Sequence, residues 1–365
     1  MATDFPFVIQ GETRDIEEED IARKVFEAMS TLDTQTLLLG WEVCHSWRCA
    51  IDTFSGLWNR TNINYSLNMA INEKRKDICK LIIKHSDVKN PASPVTGKTC
   101  LHLIVLWGDT DICRLMLDHL DNKEKKKKNP ADRQGITPLH EAEQISQTDI
   151  CKLINDNVMN PADDHGGTPL HLAASGGRLQ IYQLILTNVW DKNPADHQGI
   201  TPLHEAAQRG HTDICKLIID NVNDVNPADN QGCTPLHLAA GFQPGGNALK
   251  RTEVCQLIID RVMNKNPADK WGWTPLHLAA SGGRLQICQL ILTDVSNKNP
   301  ADGERGRTPL HFAAANGHTE ICKLILDNVQ EKNPADLTGK TPLDLAKENG
   351  HTETCGIFEN ALGSD

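Results

Sequence analysis

Polar and apolar residues alternate in blocks along most of the chain. A polar block of the form NPADxxG is followed by TPLHxAA, where apolar and small residues prevail, and then by ICKLII. The first block carries Pro and Gly and predicts a tight turn, called a finger below. In the second block, Thr at the N-cap and Pro at the first helical position predict a short helix. In the third, Ile214, Leu217 and Ile218 share one face and predict a second helix.

These blocks recur at a nearly constant period. TPLH begins at Thr137, Thr168, Thr201, Thr234, Thr274 and Thr308, TCLH at Thr99, TPLD at Thr341, and a degenerate copy, YSLNMAI, at Tyr65. The spacings are 34, 38, 31, 33, 33, 40, 34 and 33 residues, which makes nine copies. Neither short helix can bury its apolar side alone, whereas stacked copies can, so the pattern predicts an all-α array. Each unit is named below by the first residue of its signature, as in "the Thr201 unit".

The repeated residues T-P-L-H-x-A-A, then G-H, then I-C-x-L-I resemble the ankyrin repeat over roughly residues 65–360, most of the chain. The resemblance implies an all-α solenoid of about nine helix-turn-helix units with short hairpin fingers, occupying residues 61–362. It also implies that fingers and first helices line a concave face that binds a protein partner. Cysteine in the second helix and NPAD in the finger depart from the usual repeat, but neither threatens the fold.

Histidines recur with the same period, which favours a structural role for them. They fill the TPLH position at His102, His140, His171, His204, His237, His277 and His311. A catalytic centre needs one set of residues rather than seven equivalent ones, so we expect these rings to bond backbone groups across units. A zinc site of His204 and Cys215 would lack paired-ligand spacing such as CxxC. We therefore expect no catalytic residue, metal or cofactor.

Cysteines fill one position of the second helix. They are Cys79, Cys113, Cys151, Cys215, Cys255, Cys288, Cys322 and Cys355, and Tyr182 replaces the cysteine in one unit. Neighbouring helices pack about 8–10 Å apart, whereas a disulfide needs Cα atoms within about 7 Å. We expect free thiols packed as small apolar groups, which is consistent with a reducing compartment.

Positions that differ between units are the candidates for recognition. By the resemblance, these are the finger tips, the residue before each TP and the residues after the Ala pair. The predicted partner-binding residues are Arg133, Gln134, His165, His197, Gln198, Gln208, Arg209, Gln231, Phe242, Lys270, Trp271, Trp273, Arg307 and Asn316.

Two of these positions leave alternatives open. Trp271 and Trp273, beside Lys270, have the composition of a binding hot spot, or one ring packs on the adjacent finger. The Thr234 unit contains GFQPGGNALKR, seven residues longer between its helices than its neighbours. This insertion, residues 241–250 with Phe242, either adds a specific contact or has no function.

Residues 16–60 follow a short tail, residues 1–15, and do not match the repeat. Their apolar spacing predicts three short amphipathic helices. The order I-x-x-x-V-F-x-x-M, D-x-x-x-L, V-C-x-x-W-R and L-W is similar to the F-box motif. The usual Leu-Pro opening is absent, and the segment between Phe26 and Val43 is a few residues long.

The F-box resemblance implies binding to the Skp-family adaptor of a cullin–RING ubiquitin ligase, with the array holding the substrate protein. The adaptor-binding residues would be Ile21, Val25, Phe26, Leu38, Val43 and Trp47. The alternative is a plain ankyrin scaffold whose N-terminal helices only cap the array.

The charge and composition of the chain limit the kinds of partner and the location that we expect for the protein. The net charge of −11 argues against nucleic acid as a partner. No apolar run approaches the roughly 18 residues of a membrane helix, and no secretory signal opens the chain. We expect a non-enzymatic, monomeric, cytoplasmic protein. The lysine run from Lys123 to Lys128 is either a solvated loop or a signal for entry into the nucleus.

Overall fold

The computed structural model describes residues 67–68, 70–85, 90, 92–93, 95–120, 129–155, 160–241, 248–293 and 295–363. They fall into two compact parts, an N-terminal part within residues 1–158 and a C-terminal part within residues 159–365. The predicted adaptor-binding residues, Phe242 and the lysine run at 123–128 lie outside the described residues.

In the described residues every regular element is a helix, and one isolated bridge pairs Ala92 with Thr99. In the N-terminal part the helices span Lys76–His85, Cys100–Trp107, Thr110–His119, Pro138–Gln144 and Thr148–Asn155. In the C-terminal part the first helices of the units span Pro169–Gly176, Pro202–Arg209, Pro235–Ala240, Pro275–Ser281, Pro309–Ala315 and Pro342–Glu348. Their second helices span Leu179–Leu186, Thr212–Ile219, Ala248–Ile259, Leu285–Leu292, Thr319–Leu326 and Thr352–Leu362. The paired helices confirm the all-α repeat array.

The first helix of each unit begins where the TPLH residues close its N-terminus. Thr201 has an extended backbone (φ −116°, ψ 162°), and Pro202 occupies the first helical turn. Nδ1 of His204 accepts the Thr201 N–H at 3.1 Å, and Nε2 donates to the Cys233 carbonyl of the next unit at 3.1 Å. One ring thus caps its own helix and ties it to the following unit. The same two bonds are made by His102, His171, His237, His277 and His311.

The NPAD sequence shapes each finger through its Asn and Asp. Asn193 Oδ1 accepts the Leu203 N–H at 2.8 Å, inside the following helix. Asp196 Oδ1 accepts the N–H groups of Gln198 at 2.8 Å and Ile200 at 2.9 Å. These oxygens satisfy backbone donors that a turn and a helix start leave open. The NPAD sequence therefore stabilises the turn and the start of the helix, and we do not interpret it as a binding motif.

The core of the C-terminal part is aliphatic and lies between two layers of helices. Leu203, Ala206, Ile214 and Ile218 are at most 1% exposed. First helices pack on the first helices of neighbouring units, and second helices pack on second helices. Burying each of the larger side chains stabilises the fold by about 1.5–3 kcal/mol, so the core holds units together as well as helices.

The cysteines of the second helices form no disulfide bond and are buried, as the spacing predicts. Burial raises the pKa of the Cys255 thiol to about 12, which disfavours the thiolate that redox and metal chemistry require. Tyr182, which replaces cysteine in the Thr168 unit, is fully buried and donates its hydroxyl to the Lys192 carbonyl at 2.8 Å. The larger ring therefore fits because its polar end finds an acceptor.

Candidate functional site

The finger tips of the C-terminal part form a row, because backbone hydrogen bonds join neighbouring tips. We call residues 164–165, 197–198, 230–231, 270–271, 303–305 and 337–338 the finger row. The bonds run from His197 N to the His165 carbonyl (3.0 Å), Asn230 N to Gln198 (2.9 Å), Lys270 N to Gln231 (2.9 Å), Gly303 N to Trp271 (2.7 Å) and Leu337 N to Arg305 (2.8 Å). These five bonds join backbone atoms, so they do not depend on the sequence of the tips. A side chain adds a further bond between two of the fingers, because Asn230 Nδ2 donates to the His197 carbonyl at 2.9 Å.

A glycine in the left-handed region allows successive fingers to approach closely. Gly199 has a φ of 79°, and a Cβ at this position would lie 2.8 Å from the backbone nitrogen of Asn230. Any other residue would be strained and would clash with the next finger. The glycine of NPADxxG is thus a packing requirement of the row.

The side chains predicted at the finger tips are exposed. In the C-terminal part they are His165, His197, Gln198, Gln231 and Lys270. In the N-terminal part Arg133 and Gln134 are also exposed, and Arg133 N donates to the Thr96 carbonyl of the preceding finger at 3.2 Å. Both parts therefore display variable side chains on a backbone that is fixed by its own hydrogen bonds.

The predicted residues that follow the Ala pairs differ in how exposed they are. Arg209 is exposed, whereas Gln208 is half-buried. Asn316 is exposed, but its Nδ2 donates to the Phe312 carbonyl at 2.9 Å. Asn316 therefore closes the end of its helix, and its amide is already engaged.

Trp271 and Trp273 differ in their surroundings, although two positions separate them. Trp271 is 46% exposed in the finger row. The ring of Trp273 is half-buried, with its centroid 4.5 Å from that of Phe312 and 5.8 Å from that of His277. Trp273 thus packs on the first helix of the next unit, while Trp271 keeps a large exposed surface.

Arg307 links two fingers. Its Nε donates to Oδ2 of Asp336 at 3.0 Å, and the Asp336 side chain is fully buried. Burial alone would raise the pKa of Asp336, but hydrogen bonds from Thr338 and Arg307 lower it overall. Only 21% of the Arg307 side chain is exposed, so its main described contact is within the protein.

Among the described residues, the three large apolar side chains with the greatest exposure are missed by the sequence prediction. Leu337, 78% exposed, lies in the finger row. Trp190 and Met263 are fully exposed in the segments that lead from a second helix to the next finger. The sequence could have indicated Trp190 and Met263, because other units carry polar residues at the same position, such as Asn223 and Ser296.

The repeated histidines are poorly suited to acid–base or metal chemistry. Burial lowers the pKa of His204, and it lowers that of His277 to about 4. Both ring nitrogens of each are held by backbone groups. Within the described residues no cluster of His, Cys, Asp and Glu could hold a metal ion. None of the helices in the described ranges combines the length and the apolar character needed to cross a membrane.

Two protein-family models match the chain, and both describe ankyrin repeats. The model with three copies matches residues 67–157, 120–196, 170–249 and 293–358, and the model with many copies matches residues 248–292. The matches together extend from residue 67 to residue 358. No F-box domain is detected. A search of curated proteins finds no match to the chain.

Proposed function

Because the chain belongs to the ankyrin-repeat family, whose arrays bind other proteins, we propose that its finger row is the surface that binds a protein partner. One observation supports this assignment above all. The tips are held in a row by backbone bonds, while their side chains differ from unit to unit. Ankyrin-repeat proteins are generally non-catalytic, and we assign this chain recruitment without chemistry of its own.

The strongest contact in this proposal lies around Trp271. Its exposed ring stands beside Lys270, and Leu337 exposes another apolar side chain in the same row. Tryptophan is enriched where truncation weakens protein complexes most. Two or three neighbouring units offer a surface of the size of a standard interface, about 800 Å² on each side. The other exposed residues of the finger row near Trp271 then form the rim of this surface.

Site-specific photocrosslinking tests the surface. A photoreactive residue replaces Gln231 in the finger row, and a control chain carries it at Lys216, which is exposed on a second helix. After irradiation in cell extract, we expect a discrete crosslinked protein from position 231 that is absent from position 216. The same product from both positions, or a product from position 216 alone, would show that the finger row is not the binding surface.

We further propose that residues 16–60 attach the array to a Skp-family adaptor, so that the chain recruits a substrate protein to a cullin–RING ubiquitin ligase. The support is the sequence order V-C-x-x-W-R with downstream L-W, preceded by an apolar helical stripe. The mechanism is an increase in the effective concentration of the substrate near the ubiquitin-charged enzyme. The second candidate is a plain ankyrin scaffold in which the same apolar stripe caps the first unit.

Adaptor binding separates these two candidates. The full chain is mixed with purified Skp-family adaptor, and variants Trp47→Ala and Phe26→Ala are compared with it. Trp190→Ala is the matched control, because it removes another tryptophan, fully exposed in the array. We expect binding by the wild type and the control, with loss in the other two. A folded wild-type chain that does not bind the adaptor would leave the scaffold function.

Three further assignments belong to this proposal. We divide the chain into a tail at 1–15, an adaptor-binding module at 16–60 and the array at 61–362. We place the protein in the cytoplasm, with entry into the nucleus if Lys123–Lys128 acts as an import signal. Fluorescence imaging of the full chain, with and without alanine in place of the lysines at 125–128, tests that placement: only an import signal would make the nuclear fraction fall.

A further inference from the structure

One position of the repeat links the start of a second helix to the unit before it. It lies four residues before the second-helix cysteine and is occupied by His211, His318 and His351 in three units. In each case Nε2 donates at 3.1 Å to a main-chain carbonyl of the preceding unit, which belongs to Ser175, Ser281 and Ala315 respectively. We call this position the link position.

Arg251 occupies the link position of the long Thr234 unit, and it breaks the pattern. The residue is 1% exposed, and its Cγ lies so close to Gly210 that a Cβ there would be 2.9 Å away. Nε, Nη1 and Nη2 of Arg251 form no hydrogen bond with any group that the structure describes. An arginine side chain stays protonated in proteins, so this is a buried cation with five unused donors.

The charges around Arg251 do not balance it. Burial lowers its pKa first, and the guanidinium of Arg284, at the link position of the next unit, lowers it further. The first turn of the helix Ala248–Ile259 carries no acidic residue, and the sequence from 241 to 252 contains none. Glu253 is the nearest carboxylate along the chain, but it accepts from Thr212 Oγ1 at 3.2 Å and lies 3.7 Å from Lys250 Nζ.

A surface pocket lies next to Arg251. Gly210 and Lys250, which adjoin Arg251, are also in the wall of this pocket. Arg209 and His211 line it as well, with Asp213 as its acidic member. The pocket thus places two cationic side chains, Arg209 and Lys250, near the buried guanidinium.

We propose that Arg251, supported by Arg284, forms a binding site for an oxyanion, either a free phosphate-type anion or a carboxylate. Two arguments favour this ligand. Burying an uncompensated charge is costly, and a bound anion removes that cost. The planar fork of the guanidinium matches two oxygens of a phosphate or carboxylate, which accept from it in parallel. The site is separate from the finger row and does not depend on binding of a partner there.

Anion-dependent thermal stability tests the site in the full chain. Chloride is replaced by phosphate, or by acetate, at constant ionic strength and pH, and the melting temperature is measured. We expect a saturable rise of a few degrees in at least one of the two anions, since a ligand that binds only the folded state stabilises it. The anion that acts identifies which source the site prefers.

Arg251→His is the decisive variant, because histidine occupies the same position in three other units and has a backbone acceptor there. It is expected to fold and to lose the anion-dependent rise. Arg178→His is the matched control: Arg178 also occupies a link position, but its Nη1 donates to the Leu172 carbonyl at 3.2 Å. This control should keep the full response.

A wild-type chain that responds to neither anion would overturn the proposal, as would an Arg251→His variant that responds like the wild type. If Arg251→His does not fold, Arg251→Lys replaces it, since it keeps the charge and removes the fork. The anion concentration at half-maximal stabilisation should then rise about tenfold. An unchanged midpoint would equally contradict the site.

Discussion

His204 and His197 stand seven residues apart in the Thr201 unit, one in the repeated interior and the other in the finger row. His204 is fully buried, and its two ring nitrogens bond the backbone of its own unit and the next. His197 is exposed, and it takes part in the row through its backbone: its N–H donates to the His165 carbonyl, and its own carbonyl accepts from Asn230 Nδ2 at 2.9 Å. The same residue type is therefore a structural link at one position and a replaceable surface group at the other.

The comparison extends to the whole C-terminal part. Residues that recur in every unit satisfy backbone groups or fill the core, as Asn193, Asp196 and Leu203 do. Residues such as His197 and Gln198 change from unit to unit at the finger tips, where the bonds of the row are made by the backbone. Repetition thus indicates stability and variation indicates recognition, and paired substitutions in the two regions should give opposite results.

The largest difference is expected for a leucine in each region. Leu203→Ala removes a fully buried side chain and should lower the free energy of unfolding by about 2–5 kcal/mol. Leu337→Ala makes the same chemical change at a position that is 78% exposed, and should alter it by no more than about 0.5 kcal/mol. Urea denaturation measures both, and similar losses would remove the distinction between the regions.

Acid should destabilise the interior of the array through its buried histidines. Burial lowers the pKa of His277 from 6.5 to about 4, and it lowers those of His204 and His237. Between these values the unfolded chain binds more protons than the folded chain, so stability is full above pH 6.5 and falls as the pH drops toward 4. For His277 alone the complete loss is roughly 3 kcal/mol.

Urea denaturation at several pH values between 7.5 and 4.5 checks this dependence. His277→Gln should make the decline shallower, because one titrating interior group is gone. His197→Gln removes an exposed histidine and should leave the decline unchanged. Equal slopes in all three proteins would mean that the buried rings do not control the acid response.

At neutral pH, alanine substitutions of His204 and His197 should differ by a smaller amount in the free energy of unfolding. His204→Ala leaves the Thr201 N–H and the Cys233 carbonyl without their ring partner, which should cost about 1–3 kcal/mol. His197→Ala should leave the unfolding midpoint in urea unchanged. A large loss in His197→Ala would show that the finger tips contribute to the fold.

Alanine substitutions of Trp273 and Trp271 should give the smallest difference in stability. Trp273→Ala removes the ring that packs on Phe312 and His277, and should cost about 1 kcal/mol or more. Trp271→Ala removes a ring that is 46% exposed and should have little effect on thermal unfolding. If Trp271→Ala is the more destabilising variant, the exposed ring is part of the core and not a contact surface.

Much of the fold can be predicted from the sequence, because one unit is repeated nine times. The TPLH and NPAD residues act locally and between adjacent units, so their repetition predicts the helices and their stacking. The exposed finger tips follow from the same register. The F-box-like segment occurs once, so no second copy shows which of its residues are structural. No F-box domain is detected there.

Side-chain partners between units could not be read from the pattern. Arg307 and Trp273 vary between units as surface residues do, yet contacts with Asp336 and Phe312 keep them half-buried. Arg251 is another case, since an arginine at an expected helix start gives no sign that it is buried without a described partner. The partners of Arg307 and Trp273 lie 29 and 39 positions further along the chain, beyond the reach of a local pattern.

Recovery of bound proteins with two tryptophan variants tests the central claim most directly. The full chain, Trp271→Ala and Trp190→Ala are each used as bait in extract of the native cells, and the recovered proteins are quantified by mass spectrometry. Binding at the finger row predicts at least one protein that is retained by the wild type and by Trp190→Ala and lost from Trp271→Ala. Loss from Trp190→Ala with full retention by Trp271→Ala would contradict the account and place the binding surface in the segments between units.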